Sequence, residues 1–182
     1  MSDVAAAIMD AAERRMRKGG FNGFSYREIA ADVGVKSSSV HYHFPTKEDL
    51  AAAVIKRYTG ETAELIEHEL QKEGNPIKVW VKAFRGTLHS EDRMCPCAVL
   101  GASSLDLPPE VAAEVKRFFK MCYDKIVKQG LSPDEASQLL STITGALVVA
   151  NAVNDFAIYD RATREFTKAR KPVVAKGQRH SK

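Results

Sequence analysis

The sequence has few cysteines, few prolines and no long apolar run, and each absence excludes a class of protein. The 182 residues include three cysteines and seven prolines. Three cysteines, two of them close together at Cys95 and Cys97, form no disulfide framework of the kind found in small secreted proteins. No run of about 18 apolar residues is present, so we expect no membrane span and no membrane partner. Residues 1–20 carry acids among alanines and no basic leading segment, so we expect no signal peptide and a cytoplasmic location.

The chain also lacks the motifs that identify common enzyme classes. Gly19, Gly20 and Gly34 stand where helices are expected to end, not in a phosphate-binding loop. There is no nucleophile elbow and no pair of carboxylates with catalytic spacing. Cys95 and His89 could in principle serve as nucleophile and base, but nothing in the sequence orients the pair. We therefore expect no enzyme activity, no catalytic residue, no metal site and no cofactor.

The positive charge is concentrated at the two ends of the chain, within a formal net charge of +4. Residues 1–58 carry nine basic against seven acidic side chains, whereas residues 59–165 carry twelve against sixteen. Residues 166–182 carry six bases and no acid. Both ends are therefore suited to nucleic acid, and the middle is not.

One stretch near the N-terminus has the pattern of two short helices joined by a tight turn and followed by a third helix. Ser25 and Glu28 have the spacing of a capping box, which begins a helix. Gly34 ends that helix, because glycine adopts the left-handed conformation that helix ends often need. Serines begin the next helix, in which Val40 and Phe44 face inward at a four-residue spacing. This layout is typical of a helix-turn-helix that binds double-stranded DNA.

The rest of the chain predicts further helices, since glycine, proline and asparagine divide it into helix-length pieces. A continuous helix from Thr46 to Glu73 is expected to connect the DNA-binding part to the remainder. The predicted fold is all-α. Its expected parts are a three-helix helix-turn-helix DNA-binding domain over residues 1–58, a helical domain over residues 59–167, and a basic, disordered tail over residues 168–182.

A family resemblance rests on short motifs between the first helix and the start of the fourth. They are Gly20-Phe21, Phe24-Ser25, Ile29-Ala30, Val33-Gly34-Val35, and above all Tyr42-His43-Phe44 with Lys47 and Leu50. With these motifs the chain resembles the TetR/AcrR (tetracycline-repressor-like) family of bacterial transcriptional regulators. The resemblance implies a homodimer that binds a palindromic operator as a repressor and is released by a small-molecule effector. It also implies that the C-terminal helices form a ligand-binding and dimerisation domain.

The residues expected to contact DNA lie at the starts of helices and on the second helix of the helix-turn-helix. They are Ser25, Tyr26, Lys36, Ser37, Ser38, Ser39, His41, Tyr42 and Lys47. Hydroxyls and backbone N–H groups at helix starts hold phosphates, and Lys47 adds charge there. His41 is the expected base contact and Tyr42 a phosphate contact. In the plainer alternative, the serines only cap helices, Tyr42 packs as an aromatic residue and His41 is a solvated side chain. His41 and His43 point to different helix faces, so no shared metal ion is expected.

The resemblance further implies a ligand cavity among the helices after Pro76. Its expected lining is Trp80, Phe84, Leu88, Phe118, Met121, Cys122, Leu147, Asn151 and Asp155. For any one apolar member an ordinary core position is favoured over ligand contact, and Asp155 is equally consistent with capping of the helix terminus. An apolar stripe from Ala136 to Ala150 and the helix after Asp155 are expected to form the dimer interface.

Two alternatives to a ligand-released repressor remain open. Cys95 and Cys97 favour a thiol-based sensor of oxidants or electrophiles, in which Arg93 lowers a thiol pKa. A metal sensor is a further alternative, and the plainer interpretation, which the sequence favours over both sensors, is that the two thiols are small buried hydrophobic side chains. The second alternative is a DNA-binding protein without an effector. The basic tail would add non-specific DNA affinity or serve as a solubilising end.

Overall fold

The computed structural model describes residues 3–89 and 93–168, and every regular element in these two ranges is helical. The α-helices are α1 (Asp3–Gly19), α2 (Tyr26–Val33), α3 (Ser37–His43), α4 (Lys47–Glu73), α5 (Pro76–Gly86), α6 (Pro96–Gly101), α7 (Pro109–Lys128), α8 (Pro133–Ala152) and α9 (Ala157–Thr167). Short 3-10 turns occupy Phe21–Gly23 and Ser104–Asp106. The all-α prediction is confirmed. None of the described helices combines the length and apolar character that a membrane span requires. The predicted basic tail, apart from Lys168, lies outside the described residues.

The first three helices meet around a small apolar core. Ile8, Ala12 and Met16 on α1 are fully buried, and α1 contacts α2, α3 and α4. Val40 is the buried side chain of the short α3. Tertiary burial is what stabilises α3, because a helix of two turns is unstable alone.

Local capping sets the two ends of α2. The Ser25 hydroxyl oxygen accepts from the Glu28 N–H, and the Glu28 carboxylate accepts from the Ser25 N–H. Gly34 ends the helix at φ 76°, where a side chain would be strained. Arg15 of α1 pairs with Asp32 at 2.6 Å and with Glu28 at 3.0 Å, which ties α1 to α2. The predicted helix-turn-helix is confirmed.

The long helix α4 belongs to both halves of the chain. Thr46 and Asp49 form its capping box. Leu50 is buried where α4 contacts α1, and Ile66 is buried farther along, where α4 lies against α7. The expected domain boundary at residues 58–59 falls inside this unbroken helix, so the two parts share a rigid connection.

The helices after α4 extend the same hydrophobic core. Trp80 on α5, Phe118 on α7 and Tyr159 on α9 are fully buried. The Trp80 indole N–H donates to the Gln129 side chain at 2.7 Å, and the Tyr159 hydroxyl donates to the Val81 carbonyl at 2.9 Å. Both buried aromatic side chains therefore have partners for their polar atoms.

The helix α8 has two faces of opposite exposure. The stripe expected at the dimer interface is buried inside the chain: Ala136, Leu139, Ile143, Ala146, Leu147 and Ala150. That prediction is wrong, because α5, α7 and α9 of the same chain contact α8. The exposed face instead carries Gly145, Val148, Val149 and Ala152.

Candidate DNA-binding surface and effector cavity

The helix α3 carries exposed polar side chains outside and a buried anchor inside. The exposed side chains are Lys36, just before the helix, and Ser37, Ser38, His41 and Tyr42. Ser39 is half-buried. Tyr42 is 83% exposed, which excludes the alternative that it packs in the core. Hydroxyls, a cation and polar aromatic side chains on one outer face suit the major groove of DNA.

Tyr26 holds the turn between α3 and α4. Its hydroxyl donates to the Phe44 carbonyl at 2.8 Å and also lies against the Thr46 carbonyl. Burial raises the pKa of Tyr26 to about 12, so the hydroxyl stays protonated. Its ring meets the His41 ring edge-on, with 4.5 Å between centroids. A phosphate contact by Tyr26 therefore stays a prediction. Because the hydroxyl is engaged within the protein, the group suited to bind a phosphate is the Tyr26 backbone N–H in the first turn of α2.

Ser25 and Lys47 are also engaged within the protein. The Ser25 hydroxyl donates to the Glu28 carboxylate at 2.8 Å. The Lys47 ammonium lies over the rings of Phe21 and Phe24, 4.6 and 4.7 Å from their centroids. Burial there lowers the pKa of Lys47. Their phosphate contacts stay predictions, and the Lys47 ammonium would have to leave both rings to make one.

An exposed arginine that the sequence analysis did not select lies on the neighbouring helix. Arg27 is the second residue of α2, directly after Tyr26. A cation in the first turn of a helix interacts unfavourably with the helix dipole. This unfavourable position is the sequence signal that could have identified Arg27 as a DNA-binding candidate. A guanidinium there suits a phosphate near the helix start.

A cavity of about 310 Å³ lies where the ends of α1 and α5 meet the middle of α4. Its lining is Arg17, Tyr58, Glu61, Thr62, Leu65, Ala83, Phe84, Gly86 and Thr87. The volume is at the lower end of the range for ligand pockets, about 300–1,000 Å³. Leu65 and Phe84 supply apolar surface, and Arg17 and Glu61 supply charge. The cavity therefore suits a small molecule with an apolar body and a polar end.

The structure brings only Phe84 of the predicted ligand residues to this cavity. Trp80, Leu88, Phe118, Cys122 and Leu147 are buried in the core, Met121 and Asn151 are half-buried, and Asp155 is exposed. Ligand contact by these eight residues stays a prediction. Helical periodicity identifies the apolar face of each helix, but it does not say where packed helices leave space.

Asp155 contacts the start of α9 and not the end of α8, the helix end that it was expected to cap as an alternative. One carboxylate oxygen accepts from the Ala157 N–H at 2.9 Å, and the other pairs with Arg161 at 3.0 Å. Both contacts hold the start of α9 at the protein surface.

The comparisons with known proteins agree with this geometry. The family model described as "Bacterial regulatory proteins, tetR family" matches residues 8–54, from α1 into α4. A TetR-family transcriptional regulator from Agrobacterium tumefaciens is 27% identical, with a TM-score of 0.82 over 89% of this chain and 94% of that chain. A TetR transcriptional regulator from Legionella pneumophila is 26% identical, with a TM-score of 0.82 over 91% and 96%.

Residues 8–54 match the TetR family model, and the chain has the fold of TetR-family transcriptional regulators. It is a transcriptional regulator, and α2 and α3 form the helix-turn-helix of its DNA-binding domain. The resemblance stated from the motifs between Gly20 and Leu50 is confirmed. No curated protein sequence matches the chain.

A series of ion pairs joins α1 to α4 beside the cavity. Arg17 at the end of α1 pairs with Glu13 at 2.6 Å and donates to the Met94 carbonyl at 2.6 Å. Glu13 also pairs with Arg57 of α4 at 2.9 Å, and Arg57 pairs with Asp10 at 2.7 Å. Arg17 also lies over the ring of Tyr58 on α4, and both side chains line the cavity, so a molecule bound there contacts the place where α1 packs on α4.

Proposed function

We propose that this protein is a homodimeric repressor that binds a palindromic operator and is released when a small molecule occupies the cavity. The observation that carries the proposal is the exposed outer face of α3, where Lys36, His41 and Tyr42 surround a helix anchored by the buried Val40. A short helix held in place with its polar side outward is the geometry that enters a major groove.

The exposed side chains divide into phosphate contacts and base contacts. Lys36 and Tyr42, together with Arg27 on α2, hold phosphates and set the orientation of the protein on the duplex. His41 and the serines before it meet base edges. Serine hydroxyls both donate and accept and so discriminate weakly, which leaves His41 with most of the base preference.

A second copy of the chain is the proposed partner of the exposed face of α8. Gly145, Val148, Val149 and Ala152 lie on one side of this helix, at spacings of three and four residues. Val148 and Val149 are 43% and 49% exposed in the single chain, and pairing with a second copy removes this apolar surface from water. A symmetric pair presents two copies of α3, as a palindrome with two half-sites requires.

The effector is proposed to act through Arg17. A polar group in the cavity competes with Glu13 and the Met94 carbonyl for the Arg17 guanidinium. Loss of the Met94 contact releases the end of α1 from the segment before α6, and the resulting shift of α1 changes the separation of the two α3 helices in the dimer. An effector that fits only the altered arrangement shifts the population away from the DNA-binding state.

The proposal is tested by titrating the full chain against the DNA upstream of its own gene at moderate salt. Fluorescence anisotropy gives the affinity, and sedimentation gives the number of chains per DNA. We expect two chains per operator and an affinity that falls as salt rises, because phosphate contacts release counterions. Lys36→Ala should weaken binding, whereas Lys116→Ala, which removes an exposed lysine on α7, is the matched control. Binding by single chains, or equal losses for both variants, would contradict the proposal.

A cavity-filling variant separates effector release from DNA binding. Ala83 lines the cavity, so Ala83→Leu should abolish the response to any compound that dissociates the complex and leave operator affinity unchanged. A variant that still responds would move the effector site elsewhere in the chain.

A further inference from the structure

Three buried thiols lie beside and on the helices α6 and α7. Cys95 and Cys97 flank the start of α6, and Cys122 lies on α7. All three are free and buried, and Cys95 is 1% exposed. The residues that the structure describes contain no cluster of His, Cys, Asp and Glu suited to a metal ion.

The surroundings of Cys95 favour its thiolate. Burial opposes ionisation, but hydrogen bonds from the Cys97 thiol and the Tyr58 hydroxyl outweigh it, so the pKa of Cys95 is lowered. The Arg17 guanidinium supplies positive charge on the same side: it lies 5.2 Å from the centroid of the Tyr58 ring and donates to the carbonyl of Met94, the residue before Cys95.

The other two thiols are in the opposite situation. Burial raises the pKa of Cys97, and its hydrogen bond to Cys95 keeps it a donor. Burial also raises the pKa of Cys122. The thiolate is the nucleophilic form of cysteine, so we expect Cys95 to react fastest of the three.

The cavity and this thiol share two neighbouring side chains. Tyr58 and Arg17 are part of the cavity wall, and both also interact with Cys95. A molecule in the cavity therefore contacts two side chains that also interact with Cys95. The mixed apolar and charged lining suits a small carbonyl compound with an apolar body.

We propose that Cys95 is a site of covalent modification by small α,β-unsaturated carbonyl compounds that reach it through the cavity beside Arg17 and Tyr58. The adduct itself does not depend on the proposed function, whereas its effect on operator binding rests on that function.

The reaction is an addition that needs no oxidant or reductant. The Cys95 thiolate attacks the β-carbon, a carbon–sulfur bond forms, and the π electrons move to the carbonyl oxygen as an enolate. Arg17 is the cation beside the sulfur and the cavity, where it stabilises this developing negative charge. Solvent then protonates the α-carbon and so returns the proton that the thiol released. The net change is the addition of S–H across the carbon–carbon double bond.

The adduct has no space in the present packing. Cys95 is buried, and Met94 before it has φ 76°, an uncommon backbone conformation for a residue other than glycine. New atoms on Cys95 displace Met94, Tyr58 or Arg17. Displacement of Arg17 breaks its contacts with Glu13 and the Met94 carbonyl, so we expect modification to weaken operator binding.

The first test reacts the full chain with N-ethylmaleimide at pH 7 and locates the adducts by peptide mass spectrometry. Cys95 should be labelled about tenfold or more faster than Cys97 and Cys122, because its thiolate fraction is larger. Cys95→Ser should lose the fast reaction, and Cys122→Ser, a matched change at another buried thiol, should keep it. Equal labelling of all three cysteines, or labelling only after unfolding, would overturn the proposal.

The variant Tyr58→Phe separates the hydrogen bond from the burial of the thiol. The titratable groups that face Cys95 are Tyr58 from α4, Arg17 from α1, Cys97 from α6 and Cys122 from α7. Removing the Tyr58 hydroxyl raises the pKa of Cys95, so the rate–pH profile of labelling should move to higher pH. An unchanged profile would contradict the hydrogen bond as the cause of reactivity.

Operator binding before and after labelling completes the test. Labelled wild-type protein should lose affinity about tenfold or more, and Cys95→Ser treated in the same way should not. Labelling of Cys95 without a change in affinity would overturn its regulatory effect. If the unlabelled protein binds no operator, the proposed function fails, and the mass spectrum still decides the modification site.

Discussion

The two ends of the molecule use polar side chains in opposite ways. On and just before α3, the side chains of Lys36, His41 and Tyr42 are exposed to solvent and are not part of the core. At the junction of α1, α4 and α6, Cys95 is buried beside a charged guanidinium, that of Arg17. The first surface can bind DNA without rearrangement, whereas the second responds only when packed side chains are forced apart. Substitutions at the DNA end should therefore change affinity alone, and those in the other half should change stability as well.

The largest effect is expected in the core of the second half. Trp80→Ala removes a fully buried indole and leaves Gln129 without its 2.7 Å partner. The free energy of unfolding should fall by about 3–5 kcal/mol, as measured by urea denaturation. Tyr42→Ala, at an exposed aromatic side chain, should stay within about 0.5 kcal/mol of wild type. Similar losses in both variants would remove the contrast between the two ends.

The next effect concerns the exposed face of α8. Val149→Glu places an unpaired charge in the proposed dimer interface and should weaken dimerisation by roughly 3 kcal/mol, or about a hundredfold. Leu105→Glu, at a side chain that is 98% exposed, is the matched control and should remain dimeric. Sedimentation equilibrium distinguishes the two. An unchanged dimer for Val149→Glu would place the interface on another surface.

A smaller effect is expected for the DNA contacts themselves. Tyr42→Ala should weaken binding roughly tenfold on both operator and unrelated DNA, because a phosphate contact is independent of sequence. His41→Ala should reduce affinity for the operator more than for unrelated DNA. Anisotropy with both DNAs gives the ratio, and an unaltered ratio for His41→Ala would remove its role in base recognition.

Matched helix caps offer a comparison of about 1 kcal/mol. Ser25 and Ser132 each form a capping box, at the starts of α2 and α8. Each change to alanine should lower the free energy of unfolding by about 1 kcal/mol. If Ser25 also binds a phosphate, Ser25→Ala will reduce operator affinity and Ser132→Ala will not. Equal operator affinities for the two variants would show that Ser25 only caps α2.

The smallest effect comes from two exposed arginine–aspartate pairs. Arg15 pairs with Asp32, and Arg85 with Asp160, each at 2.6 Å. The hydrogen bond from the arginine lowers the pKa of each aspartate. The stabilisation is therefore complete above the unfolded pKa of about 3.9 and is lost as pH falls through the lower folded value. Asp32→Asn and Asp160→Asn should each flatten the dependence of unfolding free energy on pH below about 4. Unchanged slopes would show that the pairs contribute nothing in solution.

The helix-turn-helix could be predicted because its signals act within a few residues. The spacing of Ser25 and Glu28 and the position of Gly34 determine both ends of α2 without reference to the rest of the chain. The same holds for the continuous α4, whose cap at Thr46 was visible in the sequence.

The cavity and the thiol environment could not be predicted, because they depend on contacts between distant residues. Arg17 and Tyr58 meet only when α1 packs against α4. Arg93, two residues from Cys95, was expected to face the thiols. It instead donates to Asn154 at 2.7 Å and lies over the Phe156 ring. The cation that interacts with Cys95 is Arg17, which is distant in sequence, and not the nearby Arg93.

A hydroxyl-radical footprint of the purified protein on the DNA upstream of its gene tests the central claim most directly. We expect two protected half-sites related by symmetry and separated by one helical turn, about 34–36 Å, or a multiple of it. Protection should be lost at both half-sites with Lys36→Ala and Tyr42→Ala combined. A single protected site, or a footprint that survives this double change, would contradict the claim that two copies of α3 bind the operator.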